Sequence, residues 1–257
     1  MTQNLTLGRG KLYFSRFAPN TYNPVAFDYV GNTPEINLNI EAEMLDHYSS
    51  DAGIKEKDDS MTLQVNRTGS FITDNINFEN LANFFFGSTA LFTQAAAAAQ
   101  TEIILAPKKG AFYKLGISPT NPTGFMGINP VGFAVKLTAA PTTVYVLGTD
   151  YKLDAASGMI EILAAGAIGG ASITVDYAVA ASTRTRVISG GVPVEGAIQY
   201  VANNPKGPNR NMYLPWTKLT PNGDFALKGD EWQQLPFNVE VLKPIVGEAI
   251  YIDGLPA

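Results

Sequence analysis

The stretch EINLNIEAEMLDHYSSDAGIKEKDDSMTLQVNR, from Glu35 to Arg67, decides the architecture. At its start Ile36, Leu38, Ile40 and Ala42 alternate with Glu35, Asn37, Asn39 and Glu41. At its end Met61, Leu63 and Val65 alternate with Thr62, Gln64 and Asn66. Successive side chains of a strand point to opposite faces of the sheet, so a period of two predicts two strands, each with one apolar and one wholly polar side. Between them Met44 to Ser60 reads as a connection far longer than a hairpin needs, rich in charge at Asp46, His47, Asp51, Lys55, Glu56, Lys57, Asp58 and Asp59. Structureless connections of that length in compact domains are usually functional or disordered.

Working outward, the composition narrows the class. A chain of 257 residues, 46% of them hydrophobic, can bury one large core or two smaller ones. Only 16% of residues are charged, against about a quarter in ordinary domains, as in a subunit that hides surface against copies of itself or in an ordinary all-β domain. The formal charge of -5 argues against gripping nucleic acid by its phosphates. Without cysteine there are no disulfides and no thiolate metal sites. The N-terminus shows no basic, apolar signal pattern, and the uncharged run from Leu91 to Gln100 is too short to span a bilayer, so synthesis in a cytoplasm without membrane insertion is expected.

Most of the remaining elements read as strands, over Lys11–Phe17 and Asp28–Gly31 early in the chain and over Thr183–Ser189, Pro193–Val201 and Leu235–Leu242 late in it. One helix is predicted over Asn77–Phe86, capped by Asp74 or Asn75 and ended by Gly87, with Leu81, Phe84 and Phe85 as its apolar stripe. Composition shifts near Thr89 towards alanine and glycine. Short runs at Glu102–Ala106, Gly132–Thr138, Thr143–Leu147, Gly158–Leu163 and Ala171–Ala178, separated by turn clusters, suggest a small β-sandwich. The expected organisation is therefore a mainly β domain, sandwich or barrel with one flanking helix, built from residues 1–90 and 183–257, with a second β-sandwich inserted at 91–182.

The motifs of chemistry are weak. The single histidine, His47, has neither a Gly-x-Ser-x-Gly elbow nor a second nitrogen ligand to work with, and suits a polar loop or an interface. Gly8-Arg9-Gly10-Lys11 lacks the spacing of a phosphate loop. Asp58 and Asp59 with Glu56 are interleaved with lysines, which suits a solvated or subunit-bridging charge run better than a hard cation. Asp150, Asp154 and Ser157 read as turn chemistry. Arg184, Arg186, Lys206, Arg210 and Lys218, near Tyr213 and Trp216, outline a nucleic-acid groove that the acidic balance disfavours, and ion pairs to a neighbouring subunit are the plainer use. No catalytic residue, cofactor or metal ligand is predicted.

The C-terminal third nevertheless carries a resemblance. GAIQYVANNP (196–205), NMYLP (211–215), LTPNG (219–223), FALKGDEWQ (225–233), FNVEVL (237–242) and AIYIDG (249–254) resemble the closing segment of phage tail tube proteins. Gly8 to Phe14 and Gly31 to Arg67 resemble the first half of the same family, and the runs around Val144–Tyr151, Gly158–Ile160 and Ile173–Tyr177 resemble segments of long, non-contractile tail tubes. The resemblance implies a structural virion protein of the tail, assembled in the host cytoplasm as stacked hexameric rings. Its implied partners are copies of itself, a tape-measure protein, and terminator and tip proteins, with phage DNA passing through unbound. It places the polar residues Glu35, Asn37, Asn39, Glu41, Thr62, Gln64, Asn66, Asn238 and Glu240 on the lumen, and packs the opposite, apolar faces under the helix and a second sheet. It places Met44 to Ser60 at subunit and ring contacts, with Met44, Leu45, Tyr48 and Ile54 as apolar anchors and His47, Asp51, Lys55, Glu56, Lys57, Asp58 and Asp59 as the polar set. The inserted domain is expected outside the tube. Two further classes are compatible with the sequence: the inner tube of a contractile injection or secretion system, and a monomeric carbohydrate-binding β-sandwich.

Overall fold

The computed structural model describes residues 5–51 and 53–254. The protein is mainly β, 56% strand against 3% helix, so its cores are built by sheets. Contacts divide the chain into two compact units, one running to Ala90 and resuming at Arg186, the other spanning Leu91–Thr185. Among the described residues, no sheet closes into a barrel.

The chain opens with β1 (Gly10–Arg16), β2 (Asp28–Gly31), β3 (Glu35–Ser49), β4 (Glu56–Thr73), α1 (Phe78–Phe84) and β5 (Ser88–Gln94). The second unit supplies β6 (Ala97–Ile104), β7 (Phe112–Lys114), β8 (Ile128–Leu137), β9 (Ala140–Tyr145), β10 (Tyr151–Asp154), β11 (Met159–Ile162) and β12 (Ile173–Val179). The chain then returns through β13 (Ser182–Ile188), β14 (Val194–Ala202), β15 (Arg210–Pro221), β16 (Leu235–Val241) and β17 (Tyr251–Gly254). β5 and β13, which carry the chain out and back, pair with each other as a two-stranded ribbon.

The first unit is one antiparallel sheet in the order β2-β1-β14-β15-β16-β4-β3, with β17 on the first half of β15. Register assigns its faces. Leu38, Gly69, Val239 and Leu219 stand side by side on the core face, beside a rung of Ile36, Phe71 and Phe237. A Cβ on Gly69 would lie 2.6 Å from the Asn37 carbonyl oxygen, so the glycine lets β3 and β4 lie close above this core. Phe71 stacks on Phe237 with centroids 4.9 Å apart, and Phe84 of α1 meets Phe237 edge-on at 5.8 Å, which seats the helix on the sheet. Buried Leu12, Phe14, Ile198, Leu214 and Val241 extend the same core.

Asn77 caps α1, its side chain accepting from the Asn80 N–H at 2.7 Å. Asp74, expected as a cap, instead accepts from Asn32, and Asn75 gives its carbonyl to the Asn80 amide. At seven residues the helix is three shorter than the expected Asn77–Phe86. Phe86 adopts a left-handed φ of 51° and Gly87 returns its N–H to the Ala82 carbonyl at 2.7 Å, ending the helix at Phe84. Phe85 consequently falls outside it and is exposed.

The central strand β15 is the element that the sequence hides. Gly196 pairs with Thr217 but Ile198 pairs with Leu214, so β15 holds one extra residue at Pro215-Trp216. A bulge of this kind breaks the alternation that announces a strand and accommodates a proline without an N–H.

The second unit contains a four-stranded sheet, β6-β12-β8-β9, and a three-stranded one, β10-β11-β7, around a core including Leu115, Val135, Ile160, Ile162, Ile173 and Val175. Several of its polar groups are satisfied locally. Asp150 accepts from the Val146 and Ala167 N–H groups at 2.8 Å each, which holds its carboxyl below the usual range. Asp154 accepts from the N–H and the hydroxyl of Ser157. Lys114 donates to the carbonyls of Phe125 and Ser157. Burial, and Glu102 accepting its hydroxyl at 3.1 Å, push the Tyr177 phenol well above its ordinary value.

Candidate functional site: a polar sheet face and a projecting arm

The face of the first sheet opposite the core is a polar field. Asn37, Ser70, Asn238 and Thr220 form one rung across β3, β4, β16 and β15, and Asn39, Thr68, Glu240 and Lys218 form the next. Lys218 then faces Glu195 on β14, with 3.7 Å between amine and carboxylate, and the Trp216 indole N–H donates to the same carboxylate at 3.1 Å. Along β3 the amides bind their same-face neighbours, Asn37 to Glu35 at 2.6 Å and Asn39 to Glu41 at 2.8 Å. Gln64 donates to Asn66 at 2.6 Å on β4. These bonds hold the side chains flat against the sheet rather than free in solvent. From β14 to β3 the carboxylates of Glu35, Glu41, Glu43, Glu195 and Glu240 share this face with the ammonium of Lys218, and Lys11 of β1 and Asp253 of β17 stand on the same face.

Eight of the nine polar positions expected together therefore lie on one face; Thr62 does not. Glu43 pairs with Gln64 while Met44, the next residue, pairs with Thr62, so Leu63 is an extra residue in β4. Consecutive residues of β3 point to opposite faces, and Thr62 follows Met44 to the face of Ile40 and Ala42. The same shift moves Met61 opposite Leu45, onto the polar side. Ser70, Thr68, Thr220, Lys218 and Glu195 complete the field and were not anticipated. The alternation on β4 weakens after Asn66, and β15 was not recognised as a strand.

The stretch Met44–Ser60 is not a loop. β3 continues to Ser49 and β4 begins at Glu56, leaving only residues 50–55 as the turn. The cause is again local: a second extra residue, Asp58, and a run of Asp and Lys with poor strand propensity disguise the pairing. β16 accompanies β4 only as far as Thr68, opposite Glu240. From Ile40–Arg67 outward β3 and β4 pair with nothing but each other, forming a two-stranded arm some ten residues long, roughly 33 Å.

That arm overturns the expected burial of the apolar faces. Ile36 is partly buried against the core, but Ile40 is 61% exposed, Met44 51%, Val65 41%, Leu63 53%, Leu45 56% and Met61 59%. An isolated two-stranded ribbon is marginal in water, and both of its edges present unpaired backbone groups. Its outer end is held by polar contacts: Lys57 to Asp46 at 2.6 Å, the Ser60 hydroxyl to Asp46 at 3.1 Å, and His47 Nδ1 to Asp58 at 2.5 Å. The Lys57 and Ser60 contacts hold the Asp46 carboxyl below the usual range. Asp59 accepts from the Ser60 N–H, while Tyr48, Asp51, Ile54, Lys55 and Glu56 are exposed around the turn.

Among the described residues, no three His, Cys, Asp or Glu side chains converge as a metal site, and no helix is long and apolar enough to cross a membrane. Residues 5–244 match the model of a family described as protein of unknown function UCP028589. The chain belongs to that family. The match begins before β1, runs through the whole second unit and reaches past β16, so the polar field and the arm both lie within the UCP028589 region. No curated protein matches the chain.

Proposed function

We propose that this protein is the structural subunit of a phage tail tube, forming stacked hexameric rings through which the genome passes, with the polar sheet face turned to the bore. One observation carries the proposal: a 28-residue arm, Ile40 to Arg67, exposes an apolar face and two open strand edges on a sheet that has no other use for them. Such a feature is costly on a solitary molecule and is resolved when copies cover it. The character of the opposite face supports the same assignment. Each cation that pairs with a phosphate adds affinity through counterion release, so a wall of amides and carboxylates lets DNA slide without holding it. The low charged fraction of 16% accords with a subunit buried against its neighbours.

Negative-stain microscopy of the purified protein tests the proposal, with rings or tubes as the expected outcome. A variant with residues 44–60 replaced by a short turn should stay folded and monomeric, since the core of the first unit lies entirely outside that segment. Tubes of parental appearance from that variant would dismiss the assignment.

A further inference from the structure

The polar field continues past its last paired rung to Asn222, the residue that follows the end of β15 at Pro221. Asn222 shares a concavity of that face with Thr220, Asn238 and Glu240. Its N–H donates to the Pro236 carbonyl at 3.0 Å, which pins the backbone on the near side. Beyond it the chain leaves the sheet. Gly223 takes a left-handed φ of 109°, both residues are exposed, and a Cβ added to the glycine would meet only Pro236, at 3.9 Å. The Asn222 carboxamide and the Gly223 N–H bond to no described residue. Asparagines elsewhere on the face are held: Asn37 and Asn39 donate to glutamates, and Asn66 accepts from Gln64.

Of all the asparagines in the chain, Asn222 alone precedes a glycine. A side chain on the following residue obstructs the approach of its backbone nitrogen to the asparagine carboxamide. Glycine removes that obstruction and keeps the widest range of backbone angles. We infer that Asn222-Gly223 is a site of spontaneous deamidation, through which the polar face acquires a further carboxylate as the protein ages. The deprotonated Gly223 nitrogen attacks Asn222 Cγ and closes a cyclic imide. The bond from Cγ to Nδ2 breaks, and that nitrogen leaves as ammonia with the proton the glycine gave up. Water then opens the imide at either carbonyl, leaving aspartate or isoaspartate at position 222. Either product adds a negative charge to the face that holds Glu35 and Glu240. Isoaspartate also lengthens the main chain by one atom, but in the exposed connection of residues 222–234 rather than in a paired strand. The reaction needs no partner copy, so it is independent of the tube assignment.

Holding the full chain at mildly acidic and mildly alkaline pH, and following it by anion-exchange chromatography and peptide mapping, tests the site. The expected product is a more acidic species whose peptide containing position 222 is heavier by one mass unit and is labelled by an isoaspartyl methyltransferase. It should form several-fold faster than conversion at any other asparagine, and faster at the higher pH, because the Gly223 nitrogen must lose its proton. Asn222→Asp should elute with this species. Asn222→Gln should lack it, because glutamine would have to close a larger ring that forms more slowly. Absence of the acidic species, conversion at another asparagine ahead of Asn222, or its formation at the parental rate in Asn222→Gln overturns the inference.

Discussion

At the residue scale, side chains that look functional prove to be tying the fold together. Asp150 and Asp154 read as turn chemistry rather than a cation loop, and both carboxylates are spent on nearby N–H and hydroxyl groups. For Asp150 this has a pH consequence. Its folded-state carboxyl lies below the ordinary value of about 3.9, so its contribution is full above that value and is lost as pH falls through the lower, folded-state one. Thermal melts of the parent should therefore lose stability on the acid side more steeply than melts of Asp150→Asn, which cannot titrate. Equal acid slopes would count against this. The exposed position of His47 was legible from the charged run around it; its contact with Asp58 was not, because it depends on a bulge that places Asp58 out of step.

Elements were legible wherever periodicity ran unbroken and illegible wherever one residue was inserted. The polar and apolar sets of Glu35–Ala42 and Leu235–Val241 could be read directly, since each strand keeps strict alternation. β15 escaped because Pro215-Trp216 interrupts its period, and the outer arm escaped because Leu63 and Asp58 do so twice. The helix was legible as an element but not in its cap: Asp74 or Asn75 was the expected cap, but Asp74 is bound to Asn32 and the helix begins at Phe78, which makes Asn77 the cap. Asn77→Ala should accordingly cost about 1 kcal/mol, seen as a shift of the urea midpoint without change in slope. The same change at Asn75 leaves the cap bond intact.

For the whole molecule, two separate cores have separate consequences. The compositional step near Thr89 lies beside the division at Ala90, and each side of it buries its own apolar cluster. Residues 91–185 expressed alone should melt cooperatively, and a broad, non-cooperative melt would show that their core is incomplete. The shared polar face makes a second prediction for assembled tubes. If the face lines the bore of a tube as proposed, Glu41→Lys with Glu240→Lys should give binding to DNA that weakens with salt, log K falling by about 0.9 per log unit of salt for each phosphate engaged. Neither the openness of the sheet nor the length of the arm was legible, because both depend on where β16 stops, and nothing in the sequence of β4 marks that point.

The pairing of β5 with β13 has a consequence for the chain's tolerance of change. The two crossings are zipped together in the fold, so the ends of what lies between them are held at neighbouring positions. Swapping in a different module there costs little extra closure entropy, which grows only logarithmically with the length enclosed. The ribbon thus acts as a docking port in the polypeptide itself, where cargo of almost any size can be grafted while the rest of the scaffold keeps its register.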